Sequence, residues 1–175
     1  MHGDRAALAA LVERYHGPLL GYLYRLVLGQ RALAEDLVQE TFLRLLQTPR
    51  YDTARPFRPW LYAIATNLAR DHLRSATARH SAADDGIILL DQPDAAPGPE
   101  ELALLEEEAR TVASAIGQLG EEQRVTIILR FYSGLSLQEI SETLDIPLGT
   151  AKSRLFHSIR RLRTLLCAAG EETMP

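Results

Sequence analysis

The segment from 135 to 166 constrains the fold most strongly, because apolar residues recur in it at helical spacing on both sides of a proline. The first group lies on one face of a short helix and comprises Leu137, Ile140 and Leu144. Ser136 is placed to cap this helix, with Glu139 completing a capping box. Pro147 cannot continue the helix, because it lacks an N–H and clashes with the preceding turn. The chain is therefore predicted to change direction at 145–149.

A second helix is predicted to begin at about Thr150, whose hydroxyl can cap its free N–H groups. Its apolar stripe has spacings of three and four and comprises Ala151, Leu155, Ile159, Leu162 and Leu166. The opposite face carries polar, aromatic and basic side chains, namely Lys152, Ser153, Phe156, His157, Arg160 and Arg163. Between 150 and 166 there are five Lys or Arg residues and no acid, so this helix suits the phosphates and base edges of a major groove.

A short helix, a tight turn and a basic helix form the layout of a helix-turn-helix DNA-binding motif. The alternative is an ordinary amphipathic hairpin whose charged face is simply solvated. The cap, the turn and the acid-free second helix occur together, and this combination favours DNA binding.

The net charge of −4 hides a separation of charge along the 175 residues. Between 44 and 79 there are seven arginines and two acidic residues, whereas 81–109 contains nine acidic residues and no Lys or Arg. Salt screens exposed charges beyond about 8–10 Å, so DNA would interact with each basic segment separately and not with the net charge of the whole chain. Two basic modules that flank an acidic segment are therefore compatible with DNA binding.

The first half of the chain is predicted to be helical. Apolar residues at helical spacing over 4–47, interrupted near Gly29, predict at least two helices. A proline-bearing loop over 48–59 follows. Trp60 then begins another helix, whose stripe comprises Leu61, Ile64, Ala65, Leu68 and His72.

Three prolines and two glycines predict an extended linker at 81–99. Its apolar run at 87–90 either docks on another surface or packs back onto its own domain. Helical spacing then resumes at Leu102, Leu105, Ala109, Val112 and Ile116, and again at Val125, Ile128, Leu129 and Tyr132. The predicted fold is all-α, with two small helical domains joined by a flexible acidic linker. Its parts are a domain at 1–80, the linker at 81–99, a helix-turn-helix domain at 100–168 and a tail at 169–175.

One face of the helix predicted around 34–45 is suited to a protein partner. Its inner stripe comprises Leu37, Val38, Thr41 and Leu45. The outer face brings together Asp36, Gln39, Glu40 and Leu43, with Phe42 at its margin. Such a face is most often only solvated, and a partner surface is the more specific alternative.

The segment 57–74 combines aromatic, arginine and amide side chains on a loop and one helix. Single-stranded DNA binding needs this mixture, because unstacked bases seek planar surfaces and the backbone seeks cations. The alternative is that Trp60 and Tyr62 anchor a core, and for Trp60 core packing is favoured over base stacking.

The motif DLVQETF at 36–42, the segment 57–74 and the terminal helix-turn-helix, in this order, resemble a bacterial sigma factor of the sigma-70 family. With only a linker between the two domains, the chain is similar to the extracytoplasmic-function (ECF) subgroup, and the resemblance covers 8–167. It implies a cytoplasmic subunit that binds core RNA polymerase and directs it to promoter DNA. An anti-sigma factor is a further expected partner, and the linker is expected to run toward the active-site and RNA-exit channels of polymerase.

The resemblance also implies roles for individual residues. Core polymerase would contact Asp36, Gln39, Glu40, Phe42 and Leu43. The −10 element would contact Arg58, Trp60, Asn67, Arg70 and Arg74. The −35 element would contact Thr150, Lys152, Ser153, Arg154, Phe156, His157 and Arg160. Asp145 stands where the family often has glycine, and aspartate can adopt the left-handed conformation at moderate cost.

The sequence predicts no enzyme, catalytic set, cofactor or metal site. The acids at 106–108 are consecutive and cannot converge as paired carboxylates, and Cys167 is the only cysteine. No apolar run reaches the roughly 18 residues that cross a bilayer, and the polar N-terminus does not resemble a signal peptide. One alternative is a helix-turn-helix transcriptional regulator with an N-terminal helical sensor domain, which needs a ligand pocket or an acceptor Asp. The other is a nucleic-acid enzyme, which needs a metal-binding acid cluster.

Overall fold

The computed structural model describes residues 5–48, 51–52, 54–77 and 99–171, and every regular element within these ranges is helical. Three helices come before residue 78, namely α1 (Arg5–Leu26), α2 (Arg31–Gln47) and α3 (Phe57–Thr77). Four helices and a π-helical turn follow from residue 99, namely α4 (Pro99–Gly117), α5 (Glu121–Ile127), the turn Ile128–Tyr132, α6 (Leu137–Leu144) and α7 (Leu148–Glu171). The all-α prediction is confirmed.

Helices α1, α2 and α3 pack around a buried pair of tyrosines. The hydroxyl of Tyr22 lies 2.7 Å from Thr66 Oγ1, and its ring meets that of Tyr62 edge-on at a centroid distance of 5.1 Å. The apolar side chains buried around them include Leu19, Leu23, Leu26, Leu37, Val38, Leu61, Ala65 and Leu68. Leu28 and Gly29 both have positive φ, at 56° and 83°, so the chain turns between α1 and α2 where the sequence predicted a break.

Helix α3 begins at Phe57, three residues before the predicted start at Trp60. Pro59 is tolerated in the first turn, because the N–H that proline lacks has no partner there in any helix. The predicted stripe is buried or half-buried at Leu61, Ile64, Ala65 and Leu68. His72 is exposed and does not belong to that stripe.

Helix α6 begins with the predicted capping box. Ser136 Oγ accepts a hydrogen bond from Glu139 N at 3.2 Å, and Ser136 N donates to Glu139 Oε2 at 2.8 Å. The helix ends at Asp145, which is left-handed with φ 51° and ψ 50°, the conformation that the sequence analysis allowed for it. The turn of the motif is therefore fixed at both ends by local interactions.

Helix α7 begins at Leu148, so the prediction that Thr150 caps it is wrong. The first helical hydrogen bond runs from Ala151 N to Pro147 O at 3.0 Å, because proline can precede a helix although it cannot continue one. Residues 169–171, which were predicted to belong to a tail, are part of this helix. Ile159 is 37% exposed, and Ser158 takes its place on the buried face, with its hydroxyl donating to Arg154 O at 2.7 Å.

The two halves of the chain are in direct contact, since α3 lies against α6 and α1 lies against the π-helical turn. Buried apolar residues of both halves form one continuous cluster. The predicted linker and its apolar run at 87–90 fall within 78–98, outside the described residues, except that α4 already begins at Pro99. The domain boundaries therefore stay a prediction.

Candidate nucleic-acid interface

The exposed face of α7 is rich in aromatic and basic side chains. Phe156 is 64% exposed, and its ring lies 5.5 Å from that of His157 in an edge-on arrangement. The other predicted residues exposed on this helix are Lys152, Ser153 and Arg160. Ala151 is fully buried beneath them and fixes the rotation of the helix. This surface has the charge and shape to enter a major groove.

Two predicted −35 residues of α7 are less accessible. Thr150 is half-buried, and its carbonyl accepts a hydrogen bond from Ser153 Oγ at 3.1 Å. The Arg154 side chain is only 15% exposed, because its Nη2 lies 2.8 Å from Glu122 Oε2 of α5. Glu122 could not be selected from the sequence, since nothing in the local pattern of α5 predicts a contact with α7.

A groove of about 520 Å³ runs beside the exposed face of α7. It is lined by Gln118, Gly120 and Gln123 before and within α5, and by His157, Arg160, Arg161 and Thr164 of α7. Two guanidinium groups and two amides make it suitable for a phosphate backbone. The two glutamines could not be predicted from the sequence, because only the packing of α5 against α7 brings them to this groove.

The predicted −10 residues lie on or beside α3. Asn67 and Arg74 are exposed, and Asn67 lines two neighbouring clefts together with Trp60. Trp60 is half-buried, with its ring centroid 4.7 Å from that of Tyr51 and 5.8 Å from that of Phe57. It therefore packs on its aromatic neighbours, as favoured from the sequence, and also reaches the surface.

Two arginines of the −10 set contact the second half of the chain. Arg58 Nη2 donates a hydrogen bond to Ser133 O. Arg70 Nε lies 2.9 Å from Glu121 Oε1, and these two side chains are 17% and 33% exposed. No pattern in the sequence predicts Ser133 and Glu121 as their partners.

The outer face of α2 is confirmed as exposed for most of the predicted residues. Asp36, Gln39 and Leu43 are exposed, and Glu40 forms a 3.2 Å ion pair with Arg44. Phe42 is only 8% exposed and belongs to the core, so the expectation that it lies at the margin of a partner face is wrong. Leu46, which the sequence analysis did not select, is more than half exposed and lies one turn from Leu43 on the same face.

Comparison with known proteins identifies the family. The model described as Sigma-70 region 2 matches residues 11–79, and the model described as Sigma-70, region 4 matches residues 109–162. The ECF RNA polymerase sigma factor SigL of Mycobacterium tuberculosis is 37% identical over 173 residues, covering 95% of this chain and 93% of SigL. The chain belongs to the ECF subgroup of the sigma-70 family. The ECF sigma factor SigW of Bacillus subtilis is 35% identical to it, with 94% and 91% of the two chains covered.

Solved structures of other proteins share the fold of this sigma factor. CnrH, in complex with the cytosolic domain of CnrY, matches with a TM-score of 0.69 and 26% identity over 95% of this chain and 91% of that one. RpoE of Bartonella quintana, in complex with the anti-sigma factor NepR, matches with a TM-score of 0.68 and 23% identity over 90% and 95% of the two chains. The second match concerns the fold alone.

Burial shifts the pKa of several ionisable groups of the sigma factor. Burial raises the pKa of Tyr22 and of Tyr62, and it lowers the pKa of Arg124, whose Nη1 donates to Gly117 O at 3.1 Å. Among the described residues, no group of three or more His, Cys, Asp or Glu is placed to hold a metal ion. In the same ranges no helix is both long and apolar enough to cross a membrane.

Proposed function

We propose that this sigma factor binds core RNA polymerase through the outer face of α2 and reads promoters with α3 and α7. Membership of the ECF subgroup makes it a transcription initiation factor, and the residue roles are our proposal. The observation that carries the proposal is the exposed face of α7, where Phe156, Lys152 and Arg160 lie on a helix-turn-helix motif with a buried Ala151 beneath them.

For the −35 element, we assign base reading to the exposed middle of α7 and backbone binding to the adjacent groove. Lys152 and Ser153 can donate to base edges, and the Phe156 ring can contact a thymine methyl group. Arg160 and Arg161 in the groove suit phosphates, which position the protein without reading the sequence. Arg154 must leave Glu122 before it can contact DNA.

For the −10 element, we assign single-strand capture to the surface of α3. Trp60 and its aromatic neighbours offer planar surfaces, and Asn67 offers an amide for base edges. Arg58, Arg70 and Arg74 supply the cations for the backbone. Since duplex and single strand are held by different halves, binding to both favours the melted promoter.

For core polymerase, we assign the contact to the outer face of α2. Leu43 and Leu46 form an exposed apolar pair, and Asp36, Gln39 and Glu40 surround it with polar groups. An apolar centre with a polar rim is the usual anatomy of a protein interface. Phe42 supports this face from within the core.

We propose that the sigma factor acts through binding energy alone and catalyses no reaction itself. We propose that the polymerase performs all catalysis, that the protein needs no cofactor, and that it acts in the cytoplasm where transcription takes place. We also propose an anti-sigma factor as a regulatory partner, by analogy with CnrH, whose solved structure is a complex with the cytosolic domain of CnrY.

The test is transcription in vitro with purified core polymerase and a genomic DNA library. Adding the sigma factor should create new start sites that share two upstream sequence elements. A helix-turn-helix regulator would instead bind duplex promoter DNA tightly without polymerase. The proposal is wrong if core polymerase initiates equally often with and without the protein.

A further inference from the structure

Arg154 does not share the face of α7 that carries the other predicted −35 residues. Its side chain is only 15% exposed, whereas Lys152, Ser153 and Phe156 are exposed. At 3.6 residues per turn, positions two apart on a helix point about 160° away from each other, so Arg154 and Phe156 lie on nearly opposite sides. A helix that turns Phe156 into a major groove therefore turns Arg154 toward the protein.

Arg154 lies beside the buried stripe of α7. It follows the fully buried Ala151 by three positions and precedes the fully buried Ser158 by four. Residues three and four apart are neighbours on a helix surface. The carbonyl of Arg154 also accepts the hydrogen bond from the Ser158 hydroxyl at 2.7 Å. Arg154 thus lies at the edge of the buried side of α7, within reach of α5, which packs against this helix.

The partner of Arg154 on α5 is Glu122, in the first turn of that helix. Arg154 Nη2 lies 2.8 Å from Glu122 Oε2. A carboxylate in the first turn of a helix interacts favourably with the positive end of the helix dipole. The hydroxyl of the fully buried Thr126 donates to Glu122 O at 2.8 Å, so the backbone that carries Glu122 is held next to the core.

The same two helices line the groove that we assign to the DNA backbone. Gln123, next to Glu122, lies on the α5 side of this groove. His157 and Arg161, one and two turns beyond Arg154, lie on its α7 side. The ion pair therefore joins the two helices that form the walls of the groove. Its separation fixes both the width of the groove and the rotation of α7 toward DNA.

The charges of the pair also suit a position beside DNA. Glu122 is 67% exposed, and a free carboxylate there would repel phosphates, whereas pairing with Arg154 neutralises it. An arginine that left Glu122 to contact DNA would leave this carboxylate uncompensated. A movement of Arg154 to DNA would thus gain one attraction and create one repulsion.

We propose that Arg154 stays paired with Glu122 when the sigma factor binds the −35 element, and that the pair positions α7 against α5 without contacting DNA. Glu122 is then a positioning residue for promoter recognition, and Arg154 is not one of the residues that read bases. The inference rests on the proposed function of α7, in which Lys152, Ser153 and Phe156 remain the residues assigned to base contacts.

The deciding variant is Glu122→Ala in the full-length protein, assembled with core polymerase. Anisotropy measures binding of this holoenzyme to a fluorescent promoter duplex, taken from the start sites of the genomic library, and to the same duplex with a scrambled −35 element. Affinity for the promoter should fall about two- to fivefold, the range of a partly exposed ion pair, with little change for the scrambled duplex. If Arg154 instead reads DNA once released, the variant frees it and binds the promoter more tightly.

The exposed position of Glu122 means that this variant should retain the native fold. The matched control is Glu108→Ala, at an exposed position of α4, which should bind both duplexes as wild type does.

Arg154→Met supplies a second measurement, because methionine keeps an unbranched stem and removes the charge. This variant should lose at least as much promoter affinity as Glu122→Ala, since it also leaves the carboxylate unpaired. The double variant Glu122→Ala/Arg154→Met should be no weaker than Arg154→Met, because the same interaction is lost.

The salt dependence of the double variant tests contact with DNA directly. Its slope of log affinity against log salt should equal that of wild type, whereas the loss of a phosphate contact reduces the slope by about 0.9. Arg160→Met, in the groove, is the positive control and should show that reduction.

The inference is overturned if Glu122→Ala binds the promoter as tightly as wild type or more tightly. It is also overturned if the losses of the two single variants multiply in the double variant, or if the double variant has the reduced salt slope. All three outcomes leave the proposed function intact. If wild-type holoenzyme binds the promoter and the scrambled duplex equally, the proposed function of α7 fails, and this inference fails with it.

Discussion

Phe156 is the side chain of α7 whose exposure is hardest to explain without a partner. It is 64% exposed, although a phenylalanine on a helix next to a core would ordinarily be buried. Ala151 on the same helix is fully buried, so the exposure of Phe156 does not result from a rotation of α7 about its axis. The exposed ring indicates a surface made for contact.

We expect Phe156→Ala to weaken −35-dependent initiation by about 1–3 kcal/mol, the typical value of a lost base contact. The stability of the protein should change by less than about 0.5 kcal/mol, because the ring is exposed. Transcription from a cognate promoter and thermal unfolding measure the two effects. The variant Cys167→Ala, exposed further along α7, is the control. Unchanged initiation with Phe156→Ala would show that the ring does not touch DNA.

A charge reversal at Glu40 tests whether the outer face of α2 binds core polymerase. We expect Glu40→Lys to lower the affinity for core polymerase, because it reverses a charge beside Leu43, while native helicity is retained. Glu35→Lys is the matched control, since it also breaks an ion pair of α2, the 2.9 Å contact with Arg31, but on another side of the helix. Affinity for labelled core enzyme is the measurement. Equal losses for the two variants would contradict the assignment of this face.

Single residues were predictable where helical spacing alone decides exposure. Leu43 was correctly assigned to the outer face of α2. Phe42, predicted at the margin of that face, is buried, and Ile159, predicted in the buried stripe of α7, is exposed. Both lie at the margin of an apolar stripe, where packing against other helices determines which residue is buried. Ser158 can be buried at low cost because its hydroxyl donates to Arg154 O, and residue type alone does not predict its burial.

The capping box at the start of α6 should contribute measurably to the stability of the protein. We expect Ser136→Ala to lower the free energy of unfolding by about 1 kcal/mol, because Glu139 N loses its acceptor. Thermal unfolding at neutral pH measures this. An unchanged melting temperature would mean that packing alone fixes the start of α6.

The same box predicts a pH dependence. The hydrogen bond from Ser136 N holds the pKa of Glu139 below its ordinary value of 4.5. The carboxylate therefore contributes stability above that pH, and the contribution is lost as the pH falls through the lowered pKa. The stability difference between wild type and Glu139→Ala should be largest at neutral pH and shrink below pH 4.5. Ser141→Ala, on the same helix, removes a hydrogen bond to the neutral carbonyl of Ile146, so its stability difference should not depend on pH.

Elements were predicted well where caps and turns act locally, and less well at prolines. Ser136 and Asp145 bound α6 through contacts within a few residues, so the sequence contains what determines them. Pro59 and Pro147 were treated mainly as helix breakers. Both also occur at or within the first turn of a helix, and α3 and α7 accordingly begin earlier than predicted.

The core that the two halves share should make them unfold together. Leu135 is fully buried in the second half, and we expect Leu135→Ala to destabilise by about 2–5 kcal/mol. Trp60, the only tryptophan, lies in the first half, so its fluorescence reports on the other side of the contact. In this variant the unfolding temperature measured by Trp60 fluorescence should fall by as much as that measured by far-UV circular dichroism. A lower unfolding temperature by circular dichroism alone would show that the two halves unfold independently.

The contact between the halves was beyond prediction from the sequence. Arg70 and Glu121 are 51 positions apart, and no periodic pattern relates them. Each residue is consistent with a solvated helix face when considered in its own helix. Only the packing of the two halves brings α3 and the start of α5 close enough for these side chains to meet.

Helices α3 and α6 touch, whereas positions −10 and −35 of B-DNA are about 25 base pairs apart, or about 85 Å at 3.4 Å per pair. A molecule with its halves together is too short to occupy both elements. Promoter search by the unassembled protein is therefore unproductive, and assembly with polymerase must come first. The number of promoters occupied in a cell would then follow the supply of available core enzyme and not the amount of this protein alone.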